Sequence, residues 1–305
     1  LKLWTSVAWS VVYLLLLLSL ATPLTVITAF FLIVPGILLY TTLSTRGFLL
    51  HIAIVWLVAS LIVGPIILLQ AVYFILPSIA MGVVYKRKGP AFRAVMLGAG
   101  TIILDFLLIL LISTVFFDFN LTIAIQDMVN VVMAPFQNVA DTPLAGSIAW
   151  SPELSEQFST LTVRMIPSTM VVCALLMASI AHAIARPTLS SMGHALPKLA
   201  PLRDWRLPRS LIWYYLLCTL LQLFGGEAIH EGFMGTILVN LIPLLQFLFM
   251  VQTASFFFFV AYHRKWNPVF PILAIVALLF IPPLWIVGML DIAFPLRDAM
   301  TRTRR

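Results

Sequence analysis

The chain is a succession of apolar runs, each about as long as a bilayer is thick, and this pattern limits the fold more than any other feature. A spanning helix needs ~20 predominantly apolar residues. The candidates are Trp4 to Ala21, Leu24 to Leu43, Phe48 to Val63, Ile66 to Tyr85, Ala91 to Phe117, Arg164 to Ala185, Leu207 to Phe224, Thr236 to Tyr262 and Pro268 to Leu290. They predict an all-α protein: a polytopic transmembrane helical bundle of about 8–9 spanning helices, forming a single domain over residues 1–305. The runs are too many and too evenly spread for a signal peptide followed by a soluble domain. With 62% hydrophobic and only 10% charged residues, a soluble domain would have nowhere to hide its apolar surface. The first residue is Leu1 rather than methionine, so we expect an initial stretch ahead of it.

Proline sets the breaks between early spans. At Thr22-Pro23, Gly64-Pro65 and Gly89-Pro90 it removes a backbone donor and biases the preceding residue away from helix, which predicts tight hairpins. The formal charge of +7 does not point to nucleic acid, because the basic residues fall in short clusters between apolar runs. Cys173 and Cys218 lie inside apolar runs, supporting neither a disulfide framework nor a zinc site.

Those clusters orient the chain in a cell membrane. Placing Lys86, Arg87 and Lys88 in the cytoplasm also puts Arg46, the 186–207 loop with Arg209, and the turn His263, Arg264, Lys265 inside, with the amino terminus. Between Arg93 and Arg164 there is no Lys or Arg, and Asp118, Asp127, Asp141, Glu153 and Glu156 mark the 118–160 loop as external. Nine spans would carry Arg297, Arg302, Arg304 and Arg305 outside, against the same rule. Either Pro282-Pro283 makes the last segment re-enter or the rule fails there. Within the outer loop, Thr122, Gln126, Asn130 and Gln137 recur near helical spacing among Ile123, Val129, Val132 and Met133, predicting an amphipathic helix between spans five and six. Ser151, Pro152 and Glu153 then read as N-cap, first-turn proline and dipole-favoured acid, starting the sixth helix outside the bilayer.

Polar residues inside spans are the candidate ligand-binding groups, since an unpaired polar group in hydrocarbon is costly. Asp105 lies mid-span with Gly98 and Thr101 on its face, either as a pathway group or as a structural carboxylate bonded to a neighbouring helix. Ser210, Tyr214, Cys218 and Gln222 form a stripe at four-residue spacing, read as a cavity wall or as interhelical hydrogen bonding. Asn240, Gln246, Gln252 and Ser255 give the next span a similar polarity. In "GGEAIHEG", Glu227 and His230 are one turn apart and could share a cation or polar ligand, or simply form a solvated turn; two or three ligands do not make a metal site. His51 and His182 read as satisfied core residues. No phosphate-cradling glycine loop, zincin helix or nucleophile elbow occurs, so no catalytic residue and no cofactor is assigned.

"PLRDWRLPRSLIW", from Pro201, compresses charge and aromatics ahead of an apolar run. Arg203, Arg206 and Arg209 are spaced by three and on a helical turn would share a side facing anionic headgroups, with Trp205 and Trp213 at the interface and Pro208 starting the span. The element is either a lipid anchor or a docking site for a cytoplasmic or membrane protein partner.

The "WRLPRSLIW" element, Asn240, "QTAS" from Gln252 and the terminal "GMLDIAFPLRD" resemble the YybS-like family of predicted bacterial membrane proteins, most strongly from Pro197 to Asp298. In that family a glycine often follows the glutamine; here the residue is Thr253. The resemblance brings no established activity. It implies a distant similarity in fold to the substrate-binding subunits of energy-coupling-factor transporters, which have about six spans. Ala181 and Ala185 supply a small-xxx-small pair.

Three functions are therefore open. The leading expectation is a transport-type substrate-binding protein whose partly polar cavity opens outward and takes a small-molecule ligand, bordered by Asp105, Gln222, Glu227, His230, Asn240 and Gln252. The second is a membrane scaffold or regulatory partner protein that transports nothing, its polar stripes filled by packed side chains. The third is an intramembrane enzyme on a lipid-linked substrate.

Overall fold

The computed structural model describes residues 3–137, 152–226, 232–267, 269–294 and 296–302. All regular structure among them is helical: α1 (Leu3–Ser19), α2 (Thr25–Thr28), α3 (Ile33–Thr42), α4 (Thr45–Val63), α5 (Ile67–Lys86), α6 (Ala91–Phe117), α7 (Leu121–Gln137), α8 (Pro152–Ser191), α9 (Ser210–Phe224), α10 (Phe233–His263), α11 (Val269–Phe280), α12 (Trp285–Ala293) and α13 (Leu296–Arg302). Among the described residues six segments are long and apolar enough to cross a membrane: Thr25–Thr42, Thr45–Val63, Ile67–Lys86, Ala91–Phe117, Glu153–Ser191 and Phe233–His263. Helix α8 has 40 residues, ~60 Å at 1.5 Å per residue, about twice the hydrocarbon thickness, so it is longer than a bilayer's apolar core.

The chain packs as two compact units, Leu1–Phe119 with Met170–Leu199, and Asn120–Thr169 with Ala200–Arg305. In the first, small residues let the helices approach closely, as membrane helices require when apolar burial gives no advantage over lipid. A Cβ at Gly36 would lie 2.5 Å from the Ser78 Oγ, and one at Gly98 would lie 2.6 Å from the Met81 sulfur and 3.4 Å from Ala178. Ala174, Ala178, Ala181 and Ala185 form a fully buried stripe on α8 that contains the small-residue pair seen in the sequence. The two histidines are paired as expected: His182 Nδ1 lies 2.7 Å from the Tyr85 hydroxyl and His51 Nδ1 lies 2.9 Å from Ser10 Oγ. Lys86 donates to the Leu43 carbonyl at 3.3 Å and sits 4.2 Å from the centre of the Tyr40 ring. The end of α5, the α3–α4 turn and Arg46 in the first turn of α4 therefore share one end of this unit. Large apolar side chains such as Leu61, Phe116 and Phe117 remain three-quarters exposed, the surface a lipid solvent would cover.

In the second unit α7 is the helix anticipated in the outer loop. Asn120 Oδ1 caps it by accepting from the N–H groups of Thr122 and Ile123, Val129 is buried, and Asn130 accepts from Ser155 Oγ at 2.7 Å. Pro152 and Glu153 start α8 as expected; Ser151 lies outside the described residues.

The carboxy-terminal segment divides at Pro282-Pro283. Helix α11 has 12 residues and α12 has 9, ~18 and ~14 Å, so neither crosses alone. Side chains of α12 and α13 meet α10 in ascending order: Trp285 by Phe249, Asp291 by Gln252, Arg297 by Ser255 and Phe259. Helix α12 therefore runs parallel to α10, and the chain returns to the end of α10 from which α11 departed. The close backbone approach on this seam falls at Gly288, where a Cβ would collide with the Phe249 carbonyl and the Thr253 backbone. Its N–H donates to Thr253 Oγ1 at 2.8 Å, so the threonine following Gln252 faces a glycine on the partner helix.

Candidate functional site

Beside this seam the second unit buries an ion pair. Arg297 and Asp291 side chains are 4% and 1% exposed, with Nη2 2.7 Å and Nε 2.9 Å from the same carboxylate oxygen. Gln252 donates to that oxygen at 2.6 Å. The second Arg297 edge is also used: Nη1 donates to the Arg203 carbonyl at 2.8 Å and Nη2 to Ser255 Oγ at 3.0 Å. Ser255 in turn donates to the Trp205 carbonyl at 2.8 Å, and Gln252 Oε1 accepts from the Leu207 N–H at 3.0 Å. Three alternate backbone groups of the Arg203–Leu207 loop are thus bonded to buried side chains. Burial of a charge pair is tolerable only with its remaining hydrogen-bonding capacity filled, and this loop supplies part of it.

The loop is not the helical turn that arginine spacing suggested. Only Leu202–Asp204 makes a 3₁₀ turn, and Trp205 is extended at φ −70, ψ 132, so the three arginines diverge. Arg203 stacks over Tyr262, 3.8 Å from the ring centre, with Asp204 3.7 Å from its Nε. Arg206 is exposed, 3.7 Å from Asp298, and Arg209 is exposed where α9 begins. Trp205 Nε1 donates to the Ala200 carbonyl at 2.9 Å, which closes the loop on itself. Above the ion pair is a cleft of about 100 Å³ whose polar lining is Arg206, Arg209, Gln252, Asp291, Arg297 and Asp298, with Leu207, Ile292, Phe294 and Leu296 completing it.

The other anticipated residues have separate settings. Asn240 is fully occupied: Oδ1 accepts from the Ser168 N–H at 2.9 Å, and Nδ2 donates to the carbonyls of Arg164 and Thr236, each at 2.8 Å. In a regular helix Ser168 N–H and Arg164 C=O would pair with each other; Pro167 disturbs that turn, and the carboxamide bridges both groups. On α9 the four-residue stripe does not face inward as a set. Cys218 is buried, but Ser210, Tyr214 and Gln222 are exposed, and the inward polar group is Tyr215, packed 5.0 Å from Trp285 and 5.6 Å from Phe249. Glu227 and His230 lie outside the described residues. Asp105, in the first unit, is buried, and its Oδ2 has no hydrogen-bond partner among the described residues. A mostly apolar cleft of about 290 Å³ opens in the same unit, lined by Leu20, Gln70, Tyr73, Phe74 and Phe106 among others. Among the described residues no three His, Cys, Asp or Glu side chains gather as a metal site would require.

Asp291 and Arg297 were missed as site residues in the sequence, although both belong to "GMLDIAFPLRD". Their i, i+6 separation bridges two short helices, so no helical spacing announces the pair. Residues 10–292 match the family described as "Predicted membrane protein (DUF2232)". The chain belongs to this family. It is 26% identical over 227 residues to the "Uncharacterized protein YybS" of Bacillus subtilis (strain 168), covering 72% of each chain. No solved structure matches it. Membership makes it a predicted multi-pass membrane protein, and the loop, α10 and most of the seam that build the ion-pair site lie inside the matched residues.

Proposed function

We propose that the protein is a membrane scaffold or regulatory subunit that binds another protein through the Arg206–Arg209 element, and that it is not an enzyme. One observation carries this reading: the loop is held by its own backbone to buried Gln252, Ser255 and Arg297, while Arg206 and Arg209 project from it. A lipid anchor needs only cations near headgroups, whose attraction is indifferent to backbone geometry. Fixing the backbone lowers the ordering cost of a specific contact, which suits guanidiniums that pair with a partner's carboxylates. The size of the cleft beside these arginines agrees. Small-molecule sites measure about 300–1,000 Å³, and the polar cleft over the ion pair is about a third of the lower bound.

In this reading the six long apolar segments together with α1 and α9 make eight spans, and α11–α12 is a re-entrant hairpin. The amino terminus, Lys86 to Lys88, the loop and the arginine-rich tail then all face the cytoplasm, which removes the conflict with the positive-inside rule. Single cysteines in a Cys-free background, probed with an impermeant thiol reagent in intact cells, test the orientation: labelling at position 88 but not at 141 reverses it. The function is tested by replacing Arg206 and Arg209 with lysine. Loss of a stoichiometric co-purifying protein with unchanged thermal stability is expected; an unchanged partner profile, or no partner in either form, sinks the docking reading.

Asp105 favours a second reading, a transport-type binding protein in which the buried carboxylate serves a ligand or coupling ion, since an unpartnered buried oxygen is otherwise a cost with no return. A lipid-linked substrate for an enzyme has no comparable support.

A further inference from the structure

The loop has a second face, turned away from the ion pair. Between it and the turn after α10 runs a groove of about 380 Å³, lined by Pro201, Leu202, Phe258, Ala261, Trp266 and Pro271 and closed at its polar edge by Arg203 and Tyr262. Its walls are almost entirely apolar, with one cation, Arg203, at the edge and two more in the adjoining turn. Arg203 lies over the Tyr262 ring, Arg264 lies 5.9 Å from the Trp266 ring, and exposed Lys265 stands between Arg264 and Trp266 in the chain, held at φ 54. Asp204 is the acid beside this rim, 3.7 Å from Arg203, which leaves the three cations in excess. Tyr262 and Trp266 are 59% and 46% exposed, the amphipathic aromatics expected at headgroup depth.

An apolar slot at interface depth with cations and aromatic rings at its mouth has the polarity of a phospholipid: hydrocarbon below, phosphate above. We propose that this groove is a binding site for one anionic phospholipid, one of its two acyl chains against Leu202, Phe258, Ala261 and Pro271 and its headgroup phosphate on Arg203, with Arg264 and Lys265 adding attraction. The volume falls within the 300–1,000 Å³ usual for ligand sites. Charge complementarity selects an anionic over a zwitterionic headgroup, because each nearby cation gains from net negative charge. Arg203 also connects this site to the buried pair: its carbonyl is bound by Arg297 while its guanidinium edges the groove. The site is separate from Arg206 and Arg209 and stands or falls without the docking reading.

The test compares phosphatidylglycerol with phosphatidylcholine on the full chain in nanodiscs, by native mass spectrometry of retained lipid and by crosslinking with photoactivatable analogues of each. Wild type is expected to retain phosphatidylglycerol preferentially, with crosslinks concentrated in peptides covering 201–203 and 258–271. Arg203→Gln with Arg264→Gln should lower that preference about five-fold per cation removed, roughly 25-fold together. Arg206→Gln with Arg209→Gln, outside the groove, should leave it unchanged. Equal retention of the two lipids by wild type, or an equal loss in both double variants, overturns the site in favour of general surface electrostatics. Crosslinks spread evenly over the apolar surface overturn it without reliance on any variant, as does a protein segment found crosslinked in the groove in place of lipid.

Discussion

Removing the Arg297 guanidinium should be among the most damaging single changes in the second unit. Arg297→Met keeps an unbranched apolar chain against Phe259 but deletes the hydrogen bonds that the guanidinium gives to the Arg203 carbonyl, Ser255 and Asp291. The Asp291 side chain, 1% exposed, then retains Gln252 as its donor. Breaking a buried pair by removing one partner typically costs about 3–5 kcal/mol. At ~2–4 °C per kcal/mol for a chain of this order of size, the melting midpoint should fall by roughly 6–20 °C. Asp291→Leu alone should cost a similar amount, because it strands the guanidinium. The double variant Asp291→Leu, Arg297→Met should recover much of the loss, since replacing both ions by apolar groups of similar volume is often close to neutral. The assay is a double-mutant cycle on protein purified in one mild detergent, read by intrinsic fluorescence against temperature. Additive single-variant losses, or an Arg297→Met midpoint equal to wild type, would refute the claim that the pair is desolvated and coupled. Because the same guanidinium holds the Arg203 carbonyl, Arg297→Met should also expose the 200–209 loop to protease at temperatures below the main transition.

Asn240→Leu should lose about 1–3 kcal/mol, because it leaves Ser168 N–H and Arg164 C=O beside Pro167 without the bridging carboxamide; Asn240→Gln should not restore the loss, its longer arm displacing the amide. Gly288→Ala should destabilise by about 1–3 kcal/mol through the clash with Phe249 and Thr253, whereas Gly100→Ala, with open space at its Cβ, should be tolerated, as paired thermal melts can check. Cysteines at Arg264 and Arg302 should react with an impermeant reagent from the same membrane side; labelling from opposite sides would mean that α11 and α12 cross as one span.

The fold class was legible because lipid imposes a length and a polarity on every span, and both can be read from sequence. Proline breaks at Gly64 and Gly89, the helix from Leu121 and the paired histidines were legible for similarly local reasons. The site was less so. Asn240 and Gln252 were recognised as too polar for lipid, but sequence could not distinguish a cavity-lining amide from one saturated by backbone, since Ser168 and Leu207 lie 72 and 45 residues away. Four-residue spacing on α9 was misleading because the inward face is set by Phe249 and Trp285, which select Tyr215 rather than Tyr214. Asp291 and Arg297 stayed hidden because the candidate span ended at Leu290, just before both, and the choice between re-entry at Pro282-Pro283 and a ninth crossing was open.

That choice also ties the topology to the ion pair. A ninth full crossing would place Arg297 at the far end of α10, some 30 Å from Arg203, and in the proposed orientation the charged tail would have to leave the cytoplasm against the positive-inside bias. Turning back at Pro282-Pro283 brings Arg297 instead to Ser255, within 2.8 Å of the Arg203 carbonyl. Two half-length helices leave their facing polar groups below the headgroups, where each needs a partner; Thr253 Oγ1, accepting from Gly288 N–H and within 3.1 Å of the Leu284 carbonyl, and the Asp291–Arg297 pair supply those partners at successive levels. The hairpin, the buried charges and the backbone-tethered loop are therefore mutually dependent. A variant that straightens the Pro282-Pro283 break should lose the ion pair and release the loop together.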